Sequence, residues 1–151
     1  DDNLLPFLVT EVRDGALVVE MKSGSYSPQA RMKLVATVPA LDSMIVRGSS
    51  DAVLTGLAGE RFTVQISGSG DVRASGKVGA VTAKISGSGD LRLLDLEARE
   101  AVVEVSGSGD VDVWATEALV ASIAGSGNVG YKGDPPKITK SVAGSGSIKK
   151  R

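Results

Sequence analysis

The chain has 151 residues, and its 17 Lys and Arg against 18 Asp and Glu leave a formal charge of −1, too balanced for a surface that tracks a phosphate backbone. It has no Cys and no His, which excludes thiolate or imidazole metal sites, Cys or Ser nucleophiles with a His base, and redox disulfides within this chain. An apolar fraction of 42% suits one core in one domain, and no run of about 18 apolar residues offers a membrane span.

In chain order, Asp1-Asp2-Asn3 opens without a charged-then-apolar leader, so an export signal, if the natural protein has one, would precede Asp1. Glu11 to Glu20 (EVRDGALVVE) reads as two strands around a turn at Asp14-Gly15. Ser23 to Pro28 is expected to be a loop, and Arg31 to Val38 (RMKLVATV) a third strand ending at Pro39. Residues 1–40 lack the repeat that follows. They are expected to form an N-terminal β cap that pairs with the first coil and shields its edge.

The repeat starts in worn form at Arg47 (RGSSDA). It continues as Ser67 to Val72 (SGSGDV), Ser86 to Leu91 (SGSGDL), Ser106 to Val111 (SGSGDV), Ala124 to Val129 (AGSGNV) and Ala143 to Ile148 (AGSGSI). The steps between the first glycines, from Gly48 onward, are 20, 19, 20, 18 and 19 residues. One, three and five places before each of the four middle copies stand apolar residues: Ile66, Val64, Phe62; Ile85, Ala83, Val81; Val105, Val103, Ala101; Ile123, Ala121, Leu119. This is the period-two pattern of a half-buried strand. The parity resumes after the glycines with Val72, Leu91, Val111 and Val129, while Arg73, Arg92 and Asp112 face outward. Each unit therefore reads as strand, glycine-rich bend, strand and a variable return such as Ser75 to Gly79 or Asp95 to Glu100.

A strand-rich unit of about 19 residues cannot bury its apolar face alone, whereas units stacked in register form parallel sheets around one continuous core. The expected fold is all-β: a single-stranded, right-handed parallel β-helix (β-solenoid) of about six coils over residues 41–148, in one domain spanning 1–151. At ~4.8 Å per coil it is a rod of ~30 Å. The right hand follows the usual handedness of parallel connections. Leucine-rich repeats need a Leu/Asn consensus that is missing, and helical repeats need longer units with 3.6-residue spacing. Lys137, Lys140, Lys149, Lys150 and Arg151, with Pro135-Pro136, crowd the last coil and discourage end-to-end stacking.

With the lead-in Val38 to Met44 (VPALDSM), the SGSGD units and their decaying AGSGN and AGSGS copies resemble the head GIN domain, a family described as bacterial auto-transporter adhesin heads. The resemblance spans roughly Leu4 to Ile148. It implies a right-handed β-helix and an exported or cell-envelope location, periplasmic, outer-membrane-associated or extracellular, behind a leader that would precede this chain. It carries over no catalytic residues.

The motif positions form ladders. Ser49, Ser69, Ser88, Ser108, Ser126 and Ser145 are expected to line one edge, their hydroxyls donating to one another or to bend carbonyls. Asp51, Asp71, Asp90 and Asp110, continued by Asn128 and Ser147, form the second. Two carboxylates ~5 Å apart in water repel by about 0.8 kcal/mol, so the row needs an offset. Asn and Ser keep an oxygen that can accept a turn N–H, which favours an Asx-turn role. Arg73 and Arg92 are placed to screen the carboxylates. The alternative is Ca²⁺ between adjacent rungs, at Asp71, Asp90 and Asp110. Paired Asp71 and Asp90 as a glycosidase acid and nucleophile is weighed against the similarity of their rungs, since acid and base need contrasting environments. The glycines are read as structural, holding a corner too tight for a Cβ. Trp114 and Tyr131, on successive coils one register position apart, are expected to pack in the core or at the end, and are the best small-ligand candidates if Trp114 is exposed.

The expected function is a non-enzymatic exported module presenting a surface for protein or glycan contact at the bacterial envelope, without cofactor, nucleic acid or membrane span. A purely structural or self-associating (homo-oligomeric) module and a polysaccharide-active enzyme are the other two readings.

Overall fold

A computed structural model describes residues 8–22 and 33–151. The chain divides into two compact units, Asp1–Thr37 and Val38–Arg151. In the first, β1 (Leu8–Arg13) and β2 (Ala16–Met21) pair antiparallel from Leu8 opposite Met21 to Arg13 opposite Ala16. The expected turn lies between them. Asp14 and Gly15 both have positive φ, 51° and 76°, the conformation whose twist suits a two-residue hairpin. Ser23 to Pro28 lies outside the described residues, as do Arg31 and Met32. Residues 33–38, the rest of the expected third strand, are not a strand. Alternating apolar residues make a strand only where a neighbouring backbone takes up the hydrogen bonds. Among the described residues β1 and β2 form a two-stranded sheet of their own.

The second unit is a β-solenoid of about six stacked coils. Its strands are β3 (Ser43–Gly48), β4 (Ala52–Gly68), β5 (Val72–Gly87), β6 (Leu91–Gly107), β7 (Val111–Gly125), β8 (Asn128–Lys132), β9 (Lys137–Gly144) and β10 (Ser147–Lys150). All pair in parallel, in the order β10-β8-β7-β6-β5-β4-β3, with β9 also on β7. Val46, Ile66, Ile85, Val105, Ile123 and Val142 stand directly over one another in one column, as the 18- to 20-residue period requires.

The returns between units are not loops. β4 to β7 each run 15 to 17 residues from one Ser-Gly-Ser-Gly bend to the next, turning at bulges such as those between Leu54 and Leu57 and between Leu93 and Glu97. The extra residues shift the inward parity and add Leu57, Val78, Leu96, Ala98 and Ala115 to the core. Phe62, Ile66, Leu91, Leu93 and Leu119 fill the centre with almost no exposure, and no polar or charged side chain is buried among the described residues.

The two glycines of each bend differ. The first (Gly68, Gly87, Gly107, Gly125, Gly144) has φ between 131° and 140°, and a Cβ there would sit 2.1 to 2.3 Å from the carbonyl oxygen of the equivalent glycine one coil below. The second lacks a positive φ yet is just as tight: a Cβ on Gly109 would lie 2.1 Å from the Gly89 carbonyl oxygen and 2.9 Å from an Ile85 methyl. Stacked backbones touch at these points, which is why only glycine fits.

Candidate functional site

The bends bring the Asp positions together as a continuous inter-coil ladder. Asp71 N–H donates to Asp51 Oδ1 (3.0 Å), Asp90 N–H to Asp71 Oδ1 (3.1 Å) and Asp110 N–H to Asp90 Oδ1 (3.1 Å). Asn128 N–H donates to Asp110 Oδ1 (2.8 Å), and Ser147 Oγ to Asn128 Oδ1 (2.9 Å). In return the main-chain carbonyls of Asp71, Asp90 and Asp110 accept the N–H of Ala52, Val72 and Leu91. The Asp residues lie just outside the strands, and the carboxylate of one coil stands where a ladder carbonyl would otherwise accept the next coil's N–H. The expected Asx turn is thus replaced: the acceptor serves the coil above, 18 to 20 residues on, and not its own turn.

Arg92 spans two rungs, with its guanidinium 3.2 Å from Asp90 and 3.6 Å from Asp71. Among the described residues Arg73 makes no ion pair. Nor does any group of three acidic side chains there have the arrangement to hold a metal ion, because the carboxylates form a single file with one oxygen already engaged. Asp71 and Asp90 have the same kind of partner, without the contrast an acid and a base require.

The serine positions lie beside this ladder and are exposed. Their main chain carries the stacking: the N–H groups of Ser69, Ser88, Ser108, Ser126 and Ser145 donate to the carbonyls of Gly48, Gly68, Gly87, Gly107 and Gly125 at 2.9 to 3.0 Å. Ser49, on the first coil, is exposed as well. Among the described residues none of these six hydroxyls bonds to another or to a bend carbonyl, and all six residues are exposed.

Trp114 and Tyr131 do not form a shared platform. Tyr131, opposite Val113, points inward and is 7% exposed, and its Oη accepts a bond from Lys140 Nζ (3.2 Å). Trp114, opposite Lys132, faces the other way and is half-buried, with the Lys132 ammonium 3.8 Å from its ring centre. Successive residues of a strand point to opposite faces, so neighbouring register positions place these rings apart.

A second outer surface is the face of β4 to β7 and β9. It carries one row of Gln65, Lys84, Glu104, Ser122 and Ser141, tied by the Lys84–Glu104 pair (2.8 Å), and a second row of Ser67, Ser86, Ser106, Ala124 and Ala143. Between them runs a shallow open trough. The second row is the first residue of each repeat copy, and the first row alternates with the core set without a motif of its own, so the sequence marked the positions without assigning the face a role.

A family model described as "Putative auto-transporter adhesin, head GIN domain" matches residues 1–135. The chain belongs to this family. Among solved structures of similar fold, a putative adhesin from Bacteroides fragilis is 26% identical with a TM-score of 0.78, covering 99% of this chain and 79% of that one. A putative lipid binding protein from Parabacteroides distasonis is 30% identical with a TM-score of 0.58, covering 100% and 81%. A putative adhesin from the same species, at 21% identity and a TM-score of 0.60, shares the fold. No curated protein matches the chain. For the head GIN domain fold, the Ser-Gly-Ser-Gly-Asp bend supplies what stacking needs: two positions without a Cβ and a side-chain acceptor for the coil above.

Proposed function

We propose that this head GIN domain is a non-enzymatic, exported module that presents its outer surface to a protein or glycan at the bacterial envelope. The observation that carries the reading is the likeness, over 99% of the chain, to a structure described as a putative adhesin. The chemistry of the surface agrees with it. The two rows on the face of β4 to β7 and β9 are mostly small or uncharged side chains around one compensated ion pair, Lys84–Glu104, a contact surface that binds by shape and hydrogen bonding. The equivalent rungs of the Asp ladder serve stacking and leave no differentiated acid and base.

The test is binding of the folded chain to a glycan array and to intact bacterial and host cells. A partner is expected, and Ser106→Arg with Ser122→Arg, which place bulk on the broad face away from the core, are expected to weaken it at least tenfold at unchanged melting temperature. Absence of any partner for the folded chain counts against the reading. Because one relative is described as a putative lipid binding protein, lipid vesicles form a second arm. The interior is filled by Phe62, Ile66, Leu91 and Leu93, so a lipid would have to lie on the outside. Preferential capture by vesicles would replace protein or glycan contact with lipid contact.

A further inference from the structure

The last coil differs from those beneath it in charge and in what its inward columns carry. Residues 132–151 hold Lys132, Lys137, Lys140, Lys149, Lys150 and Arg151 against Asp134, a net charge of 6 − 1 = +5. Residues 38–131, the remainder of the same compact unit, hold seven Lys and Arg against twelve Asp and Glu, 7 − 12 = −5. Charge is therefore polarised along the described coils, with Arg151 paired to Asp112 (2.8 Å) and Lys150 to Asp134, and with Lys137, Lys140 and Lys149 outside any ion pair among the described residues. Among the described residues β9 pairs only β7, so its other edge offers unpaired N–H and C=O groups.

The three inward columns of this wall end in Ile138, Lys140 and Val142. Where lower coils carry Val64, Ala83, Val103 and Ala121, the last coil carries Lys140. Its stem lies across the coil mouth: the ammonium is 3.2 Å from Tyr131 Oη, 4.6 Å from the Tyr131 ring centre and 3.4 Å from the Ile148 carbonyl oxygen on the opposite wall. Ile138 and Val142 on either side remain 42% and 43% exposed.

A strand continuing the parallel register would set its own inward residues over Ile138, Lys140 and Val142. An apolar residue above Lys140 would bury the ammonium without a counter-charge, which is strongly unfavourable, whereas a carboxylate there would pair with it. Apolar residues above Ile138 and Val142 would bury what is now half exposed. We propose that the free edge of β9 is a strand-addition site for an extended, acidic segment of a partner protein with the pattern apolar-x-acidic-x-apolar. The same lysine refuses a neutral strand and repels a second cationic end, so one device supplies both rejection and selectivity. The proposal deepens the contact reading above and rests on it for the view that the domain meets other proteins.

The experiment uses the full chain and a labelled peptide, Glu-Val-Thr-Glu-Thr-Val-Glu, in fluorescence anisotropy. Its comparisons are the peptide with Lys at the centre, the peptide with Leu at the centre, and the parent peptide N-methylated along one edge. The parent is expected to bind at least tenfold more tightly than all three. Lys140→Leu is expected to reverse the preference in favour of the Leu peptide, and Lys137→Glu with Lys149→Glu to weaken the parent at least tenfold. Circular dichroism checks that each variant stays folded. Equal binding of the N-methylated peptide, of polyglutamate or of anionic vesicles would mean general polyanion or membrane attraction and overturn strand addition. Self-association that the peptide displaces would make a second copy the occupant and overturn it too. If the peptide fails while capture through the Ser106 and Ser122 face persists, this site is wrong and the contact reading stands; if both fail, both are wrong.

Discussion

Asp90 accepts the N–H of Asp110 and receives Arg92, so its oxygen geometry and its charge can be separated by substitution. Asp90→Ala removes the acceptor and leaves the Asp110 N–H unpaired at a bend, and is expected to cost about 1–2 kcal/mol in urea denaturation. Asp90→Asn keeps an oxygen and loses only a half-exposed ion pair, so its loss is expected to be under about 1 kcal/mol. Equal losses would show that charge, not the inter-coil bond, holds the rung. Asn128 already occupies this position one coil above Asp110, with its N–H on the Asp110 carboxylate. The bend glycines separate two other effects. Gly48→Ala meets only an unfavourable φ of 84°, with nothing within 4 Å of the new Cβ, and is expected to cost about 1–2 kcal/mol. Gly107→Ala has φ 131° and places its Cβ 2.2 Å from the Gly87 carbonyl oxygen, which demands separation of two coils. At least about 3 kcal/mol is expected there, read as a large fall in melting temperature or loss of soluble protein.

At the level of the strands, the core columns make the same residue type count differently by position. Ile66→Ala, at 0% exposure between Val46 and Ile85, is expected to cost about 2–5 kcal/mol, and Ile138→Ala, on the open side of the last coil, less than about 1 kcal/mol. Similar losses in denaturant melts would mean that the last coil is covered in solution. The columns were legible in the sequence because period-two alternation and a fixed repeat length together state which residue lies over which: Ile66, Ile85, Val105 and Ile123 needed no further information. The inward residues of the returns were not legible, since a bulge shifts parity by an amount that depends on the neighbouring coil, and Leu57 and Leu96 therefore fell outside the pattern. Residues 33–38 carry apolar residues yet are not a strand, and alternation alone does not reveal whether a partner exists. The Asp ladder was legible as a set of positions; the direction of its bonds was not. An acceptor serving its own turn and one serving the next coil require the same residue types, and only the stacking geometry tells them apart.

Along the solenoid, strand pairing joins each coil to its neighbours, so stability accumulates along the axis and is lowest where stacking stops. β5 and β6 pair along nearly their whole lengths with strands on both sides, whereas β10 is four residues long and, among the described residues, pairs β8 alone. Native-state hydrogen exchange is expected to show the amides of Ile85, Val103 and Val105 opening only with global unfolding, while those of Ile148 and Lys149 exchange through local fraying at least 100-fold faster. Protection that is uniform from β5 to β10 would show the last coil to be stacked against something in solution. If a strand adds to β9, its hydrogen bonds form with the unpaired edge, so the slowing of exchange should begin at Ile138, Lys140 and Val142, spread to β10 and leave β5 unchanged. A ligand held on the broad face of β4 to β7 would make no such backbone bonds and would leave that gradient in place. Exchange along the axis therefore distinguishes the two surfaces of the solenoid whatever the chemical nature of the partner.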